Sequence, residues 1–285
     1  MLERYLNDRS VLLLGNGINR FGDMDDETSW EKLLLNLSKK ARCNLKRIPQ
    51  GYPYTEIFDI LFSQTKVHNE QELKNIFIES LRKWKPKNSH KNIILKCEAS
   101  NCNVITTNFD KTLEYANNYE KKHRVLDKGF THHYPWQVYY TSKQSNAAIK
   151  IWHVHGVIDY PTSVKLSVND YAGNMGQFHK YEVFEEGDTK YKKDYTWLNE
   201  FMEKKLVILG LSLAEQEFFI RSLLIKKKKY SDLKSKKKPY GYYIDFKEFA
   251  EQANGNELER KDMFLKSCDI EKIEFEKAEE IYSIK

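Results

Sequence analysis

The sequence predicts an α/β fold in which a doubly wound, mostly parallel sheet carries helices on both faces. Three observations predict it. Short aliphatic runs, residues 11–14 and 206–209 among them, have the continuous apolar character of strands buried on both sides. Each run ends on glycine or a small polar residue. Segments of helical period separate the runs, so strands and helices alternate.

The elements follow in order. Val11, Leu12, Leu13 and Leu14 form a strand that runs into the turn Gly15, Asn16, Gly17. Thr28 and Glu31 have the spacing of a capping box, opening a helix near residue 29 with Trp30, Leu33, Leu34 and Leu37 on one face. Residues 55–97 repeat apolar side chains at helical spacing and read as an all-helical insertion beside the sheet, with its last short helix at 92–97. Residues 103–107 are a strand ending at Asn108, Phe109, Asp110. Residues 127–148 have no clear period and read as a long loop or small hairpin module. Residues 149–153 are a third strand, ending on His155 and Gly156. A strand at 206–210 leads into a helix at 215–225, a lysine-rich exposed connection at 226–238 and a strand at 240–246. Residues 273–275 and 281–284 close the sheet. The whole is one Rossmann-like domain over residues 1–285, with no internal repeat.

Composition bounds the function. At 285 residues and 40% hydrophobic the chain can bury a core. Its 47 Lys and Arg against 41 Asp and Glu give a mild excess of six, without the clustered bias of a dedicated duplex binder. Nucleic acid is therefore not expected as a direct ligand. The lysines at 226–229 and 234–238 read better as a solvated loop than as a binding patch. No apolar run reaches the length needed to cross a bilayer, and residues 11–14 are too short for a signal-peptide core, so a soluble cytoplasmic protein with no membrane partner is expected. Cys43, Cys97, Cys102 and Cys268 include no CxxC pair, which argues against a zinc ribbon.

In an open parallel sheet, ligands bind at the carboxyl ends of strands near the point where strand order reverses. Four such ends carry suitable residues. Gly15, Asn16, Gly17 and Asn19 can let backbone approach a pyrophosphate, although the third glycine of a GxGxxG loop is missing and a plain tight turn fits as well. Asn108 and Asp110 offer donors and acceptors, or a helix cap. His155 can serve as a base or hydroxyl partner, or be structural. Gly210 and Ser212 can meet ribose or phosphate, or make an ordinary strand-to-helix turn.

Taken in order, the segments GNGIN, TTNFD, HVHG and GLSL resemble the motif series of the sirtuin-like superfamily. The likeness is closer to the zinc-free sirtuin-like domains of bacterial anti-phage defence, whose glycine loop leads to a Ser-Trp-Glu helix start like Ser29, Trp30, Glu31. The resemblance implies NAD as substrate. Gly15, Asn16, Gly17 and Asn19 would lie at the pyrophosphate. Asn108 would order the nicotinamide ribose and the attacking water. Asp110 would face the carboxamide or ribose, and His155 would contact a ribose hydroxyl and act as base. Gly210 and Ser212 would meet the adenosine side, and Asp245 its ribose. The four-cysteine module of the family's deacylases is missing between the third and fourth motifs, so no zinc is expected and protein deacylation is disfavoured.

With deacylation disfavoured, the resemblance implies NAD glycohydrolysis to ADP-ribose and nicotinamide, by a regulated NAD-depleting effector of defence by abortive infection. The alternatives are a non-catalytic NAD or ADP-ribose sensor and an ADP-ribosyltransferase. Defence enzymes of the resembled kind are held silent until infection, and no second sensing domain is expected within these 285 residues. Control by a separate regulatory or activating protein, or by assembly into a homo-oligomer, is therefore expected.

Overall fold

A strand that is apolar on both sides needs cover on both sides. The computed structural model of the chain shows that cover; it describes residues 1–22, 27–43, 45–49, 51–123, 136, 138–142, 149–181, 184–185, 188–189, 196–214, 217–250 and 255–283. The strands are β1 (Ser10–Leu14), β2 (Asn103–Thr106), β3 (Tyr119–His123), β4 (Val138–Ser142), β5 (Ile151–His153), β6 (Phe184–Glu185), β7 (Asp188–Thr189), β8 (Lys205–Leu209), β9 (Gly241–Phe246) and β10 (Ile270–Phe275). The helices are α1 (Gly17–Arg20), α2 (Trp30–Lys40), α3 (Tyr54–Gln64), α4 (Glu70–Leu81), α5 (Asn88–Ala99), α6 (Thr112–Ala116) and α7 (Val168–Tyr181). They continue with α8 (Trp197–Glu203), α9 (Phe218–Leu233), α10 (Lys247–Ala250), α11 (Gly255–Ser267) and α12 (Glu279–Tyr282).

Among the described residues the main sheet has eight strands, in the order β10-β9-β8-β1-β2-β5-β4-β3. From β10 to β5 all neighbours are parallel, and β4 and β3 add an antiparallel edge. This is the Rossmann-like doubly wound arrangement. On β1, Leu12 and Leu14 face the cluster built with α2 to α5 and α12, while Val11 and Leu13 face the cluster built with α8, α9 and α11. All four are fully buried.

Register places the functional edge. Leu14 lies opposite Thr106 on one side and Leu209 on the other. Thr106 in turn lies opposite His153. The carboxyl ends of β8, β1, β2 and β5 are therefore level. Strand order reverses at β1: the chain first proceeds to β2, and later returns to β8 on β1's other side. The crevice expected at such a reversal falls between the Gly15 and Gly210 turns.

Several expectations need correction. The cap of α2 is Ser29 rather than Thr28: the Ser29 hydroxyl accepts from Lys32 N–H at 3.2 Å. The helical insertion is real, but α5 starts at Asn88 and packs on β2 as the last helix of the crossover, while α3 and α4 pack on α2. Helix α9 begins at Phe218 and continues through the lysines to Leu233, because Lys227 extends the apolar stripe of Leu223, Leu224 and Tyr230. Residues 279–282 form α12 rather than a strand. Ile281 and Tyr282 enter the core, and their carbonyls accept from Lys96 Nζ and Asn92 Nδ2; residue 284 is outside the described residues. The same holds for most of 127–148, of which 138–142 are the edge strand β4. Helices α7 and α8 and strand β3 had no sequence expectation. Among the described residues, no helix is long and apolar enough to cross a membrane.

Candidate functional site

The two glycine turns meet each other. Gly15 N–H donates to Leu209 C=O and Gly17 N–H to Gly210 C=O, both at 2.9 Å. A Cβ on Gly15 would lie 2.4 Å from Gly210 O, and one on Gly17 would lie 2.6 Å from Gly210 Cα. Gly210 itself has φ +69°. These glycines thus let the β1 and β8 ends close on one another. The Gly15 and Gly17 N–H groups are already engaged by protein carbonyls.

Behind that turn lies a buried polar knot. Asn19 Nδ2 donates to Asn16 Oδ1 and to Asp110 Oδ2, each at 2.9 Å. Its Oδ1 lies 2.8 Å from His90 Nε2. His90 Nδ1 accepts from Lys87 N–H at 2.8 Å, which leaves the ring proton on Nε2 to donate to Asn19. Burial, together with the Lys87 charge and against the pull of Asp110, lowers the ring to about 4, so it is neutral. The other Asp110 oxygen accepts from Thr112 N–H at 3.0 Å and from its hydroxyl. Asn16 Nδ2 donates to Thr28 C=O at 2.7 Å. Asn19 is 2% exposed, and its amide is committed to the protein. It ties β1's end to β2's end and to α5.

Asn108 follows β2. Its N–H donates to Thr106 Oγ1, and its amide reaches Gly15 C=O at a long 3.4 Å. Its carbonyl accepts from His153 Nδ1 at 2.6 Å, and His153 Nε2 lies 2.8 Å from Glu114 Oε1. Burial disfavours charge on His153, but the Glu114 carboxylate and the bond to Asn108 outweigh it and raise the ring above its ordinary value. A protonated His153 donates from both nitrogens and fixes the Asn108 backbone.

His155 lies beyond β5, at the turn closed by Gly156. Gly156 has φ +92°, and a Cβ there would lie 2.1 Å from Ser163 O. His155 is 3% exposed, and neither ring nitrogen has a partner among the described residues. Burial, helped by the Lys165 charge, lowers it to about 3. Its ring centroid lies 5.1 Å from that of Tyr171 on α7. Helix α7 is held by Asp170, which caps its first turn and pairs with Lys74 of α4 at 2.7 Å.

A cavity of about 30 Å³ joins these groups. Asn16, Asn108, Asp110, His155, Tyr171 and Glu217 line it, with Trp30 and Phe109 as its aromatic wall. Trp30 meets Phe109 edge-on at 5.5 Å and stacks on Tyr54 and Phe77. Glu217, at the amino end of α9, is half-buried, and burial pushes its carboxyl up to about 7. Ser212 instead lines an open cleft of about 710 Å³, together with Tyr52, Tyr54, Arg221, Arg260 and Lys261. Asp245 joins neither cavity; it pairs with Lys261 at 2.9 Å and Lys272 at 3.5 Å.

Of the sequence-predicted residues, Asn16, Asn108, Asp110 and His155 thus share one cavity, and Gly15, Gly17, Asn19 and Gly210 form the frame behind it. Sequence reasoning missed Glu217, Tyr171, His90, and the His153–Glu114 pair. His90 had a signal, since it shares a helical stripe with Ile93, Ile94 and Cys97. Glu217 had a weaker one, an acidic residue opening a helix two positions after Glu215. Among the described residues no group of three or more His, Cys, Asp or Glu is arranged to hold a metal ion.

A search of the curated proteins finds no match to the chain. Residues 103–271 match the SIR2-like domain, more than half of the 285 residues. The matched span holds β2, β5, β8 and β9 and three of the four strand-end motifs; the β1 turn lies before it and is joined to it through Gly210. On that match and this fold, the chain belongs to the SIR2-like domain family.

Proposed function

We propose that the protein binds NAD along the carboxyl edge of its sheet and hydrolyses the nicotinamide–ribose bond, giving ADP-ribose and nicotinamide. SIR2-like domains are NAD-related, which sets the substrate class. The observation that carries the rest is the convergence of Asn108 and His155, from two different strand ends, on one small cavity that Asp110 also lines. The leaving group is already cationic, so the bond needs less acid assistance than an ordinary glycoside. The reaction then requires a held ribose and one placed nucleophile near an oxocarbenium-like transition state.

In this reading Asn108 orients the nicotinamide ribose and the attacking water, and His155 accepts a ribose hydroxyl. Asp110 faces the carboxamide or ribose, with Asn16 beside it. The ADP half lies toward the open cleft, where Ser212 stands among Arg221, Arg260 and Lys261. Gly15, Gly17 and Gly210 serve the pyrophosphate by close approach of backbone, and Asn19 by holding Asn16. Asp245 acts on the adenosine side only through Lys261, its ion-pair partner. The absence of a four-cysteine module in the sequence supports hydrolysis over deacylation. A role as an NAD-depleting effector in anti-phage defence, under a separate regulator or self-assembly, belongs to the same proposal and rests on the motif resemblance.

The test is nicotinamide release from NAD by the wild type and by Asn108→Ala and His155→Ala. Each variant is expected to lose at least ~100-fold in rate, the scale of a positioned polar group in proton transfer or orientation, with unchanged circular dichroism. Full activity in either variant would remove its assigned role.

A further inference from the structure

We propose that Glu217 is the group that accepts the proton of the attacking water in this cavity, an inference that rests on the hydrolysis reading above. Glu217 comes from a third element, the amino end of α9, and lines the same cavity as Asn108 and His155. Among the described residues its carboxylate has no hydrogen-bond or ion-pair partner. A space of about 30 Å³ is large enough for one water, which needs two to four polar partners. Asn108, the unpartnered ring nitrogens of His155 and the Glu217 carboxylate are such partners.

The neighbouring candidates are less suited to take a proton. Both Asp110 oxygens already accept, from Asn19 and from Thr112. Burial keeps His155 at about 3, so at neutral pH it is a neutral acceptor and a weak base. Burial moves Glu217 the other way, to about 7, where a base is half ionised at working pH and still holds the proton it takes. The step balances. A water O–H bond breaks and its proton goes to the Glu217 carboxylate. The oxygen lone pair forms a bond to the anomeric carbon. The carbon–nitrogen bond breaks, and its electron pair neutralises the pyridinium nitrogen. Glu217 then releases the proton to solvent, so NAD and water give ADP-ribose, nicotinamide and one proton.

The experiment is kcat/KM for NAD against pH, with nicotinamide as readout, for wild type, Glu217→Gln and Glu217→Asp, with Asn108→Ala as blank. NAD binding to each is followed by calorimetry. In the wild type, kcat/KM is expected to rise with pH through a limb near 7. Glu217→Gln should bind NAD, lose about 100-fold or more in rate and lose the limb. Glu217→Asp should recover part of the rate with a limb restored. A Gln variant with wild-type rate and limb overturns the role of Glu217 and leaves hydrolysis standing. A Gln variant that is slow but keeps the limb also overturns it, since the titrating group is then another. A wild type that binds NAD and releases no more nicotinamide than the blank, both alone and in its assembled, activated form, overturns the hydrolysis reading itself.

Discussion

His153 and His155 are two positions apart and titrate in opposite directions. Glu114 raises the His153 ring above its ordinary value, and burial holds His155 neutral. A ring whose folded value is raised stabilises the fold fully below its unfolded value of about 6.5, and that contribution disappears as pH rises through the folded value. Glu114→Ala removes the partner that raises the ring and breaks a buried pair, which costs about 3–5 kcal/mol. The drop in Tm relative to wild type should be largest at pH 6 and should shrink toward alkaline pH. An equal drop at all pH values would show that His153 is neutral. At this scale the sequence was informative where a side chain stands alone at a strand end, as Asn108 and His155 do. It was uninformative where a residue acts through a distant partner. Nothing local to His153 points to Glu114, which is 39 positions away.

The glycine turns belong to the scale of elements. Gly17→Ala puts a methyl group against Gly210 Cα, backbone that has nowhere to retreat, and should destabilise by about 1–3 kcal/mol. Gly176 offers the contrast. It lies within α7, and a Cβ there meets nothing within 4 Å, so Gly176→Ala should stabilise by about 1 kcal/mol through helix propensity. Thermal unfolding of the two variants checks both signs. The parallel strands were legible because they are apolar on both faces. Strand β3, Tyr-Glu-Lys-Lys-His, was not, because an edge strand pairs on one side only and tolerates charge. Lysine-rich composition alone suggests a loop after residue 225, yet lysine is a good helix former and the stripe through Lys227 carries α9 on to Leu233.

For the whole molecule, the lysine-rich face is balanced by its surroundings. Lys227 is 3% exposed and donates to the carbonyls of Met202 and Lys204. Lys228 bridges Asp232 and Asp269, Lys236 pairs with Glu203, and Lys238 pairs with Asp269. Oligonucleotide affinity should therefore fall only shallowly with salt, with a log–log slope smaller in magnitude than about 2. A steep slope, lost on replacing Lys229 and Lys237, would restore a nucleic-acid role. The opposite edge of the sheet is where the fold concentrates its unusual chemistry: level strand ends, interlocked glycine turns, a neutral buried histidine and a perturbed carboxyl. This edge is where NAD is proposed to be cleaved. The direct measurement is the joint release of nicotinamide and free ADP-ribose from NAD, quantified together for wild type and Asn108→Ala. Equimolar release by the wild type and none by the variant is the predicted result. NAD bound and left intact by the wild type even in its assembled, activated form, or lost equally fast in the variant, would contradict it.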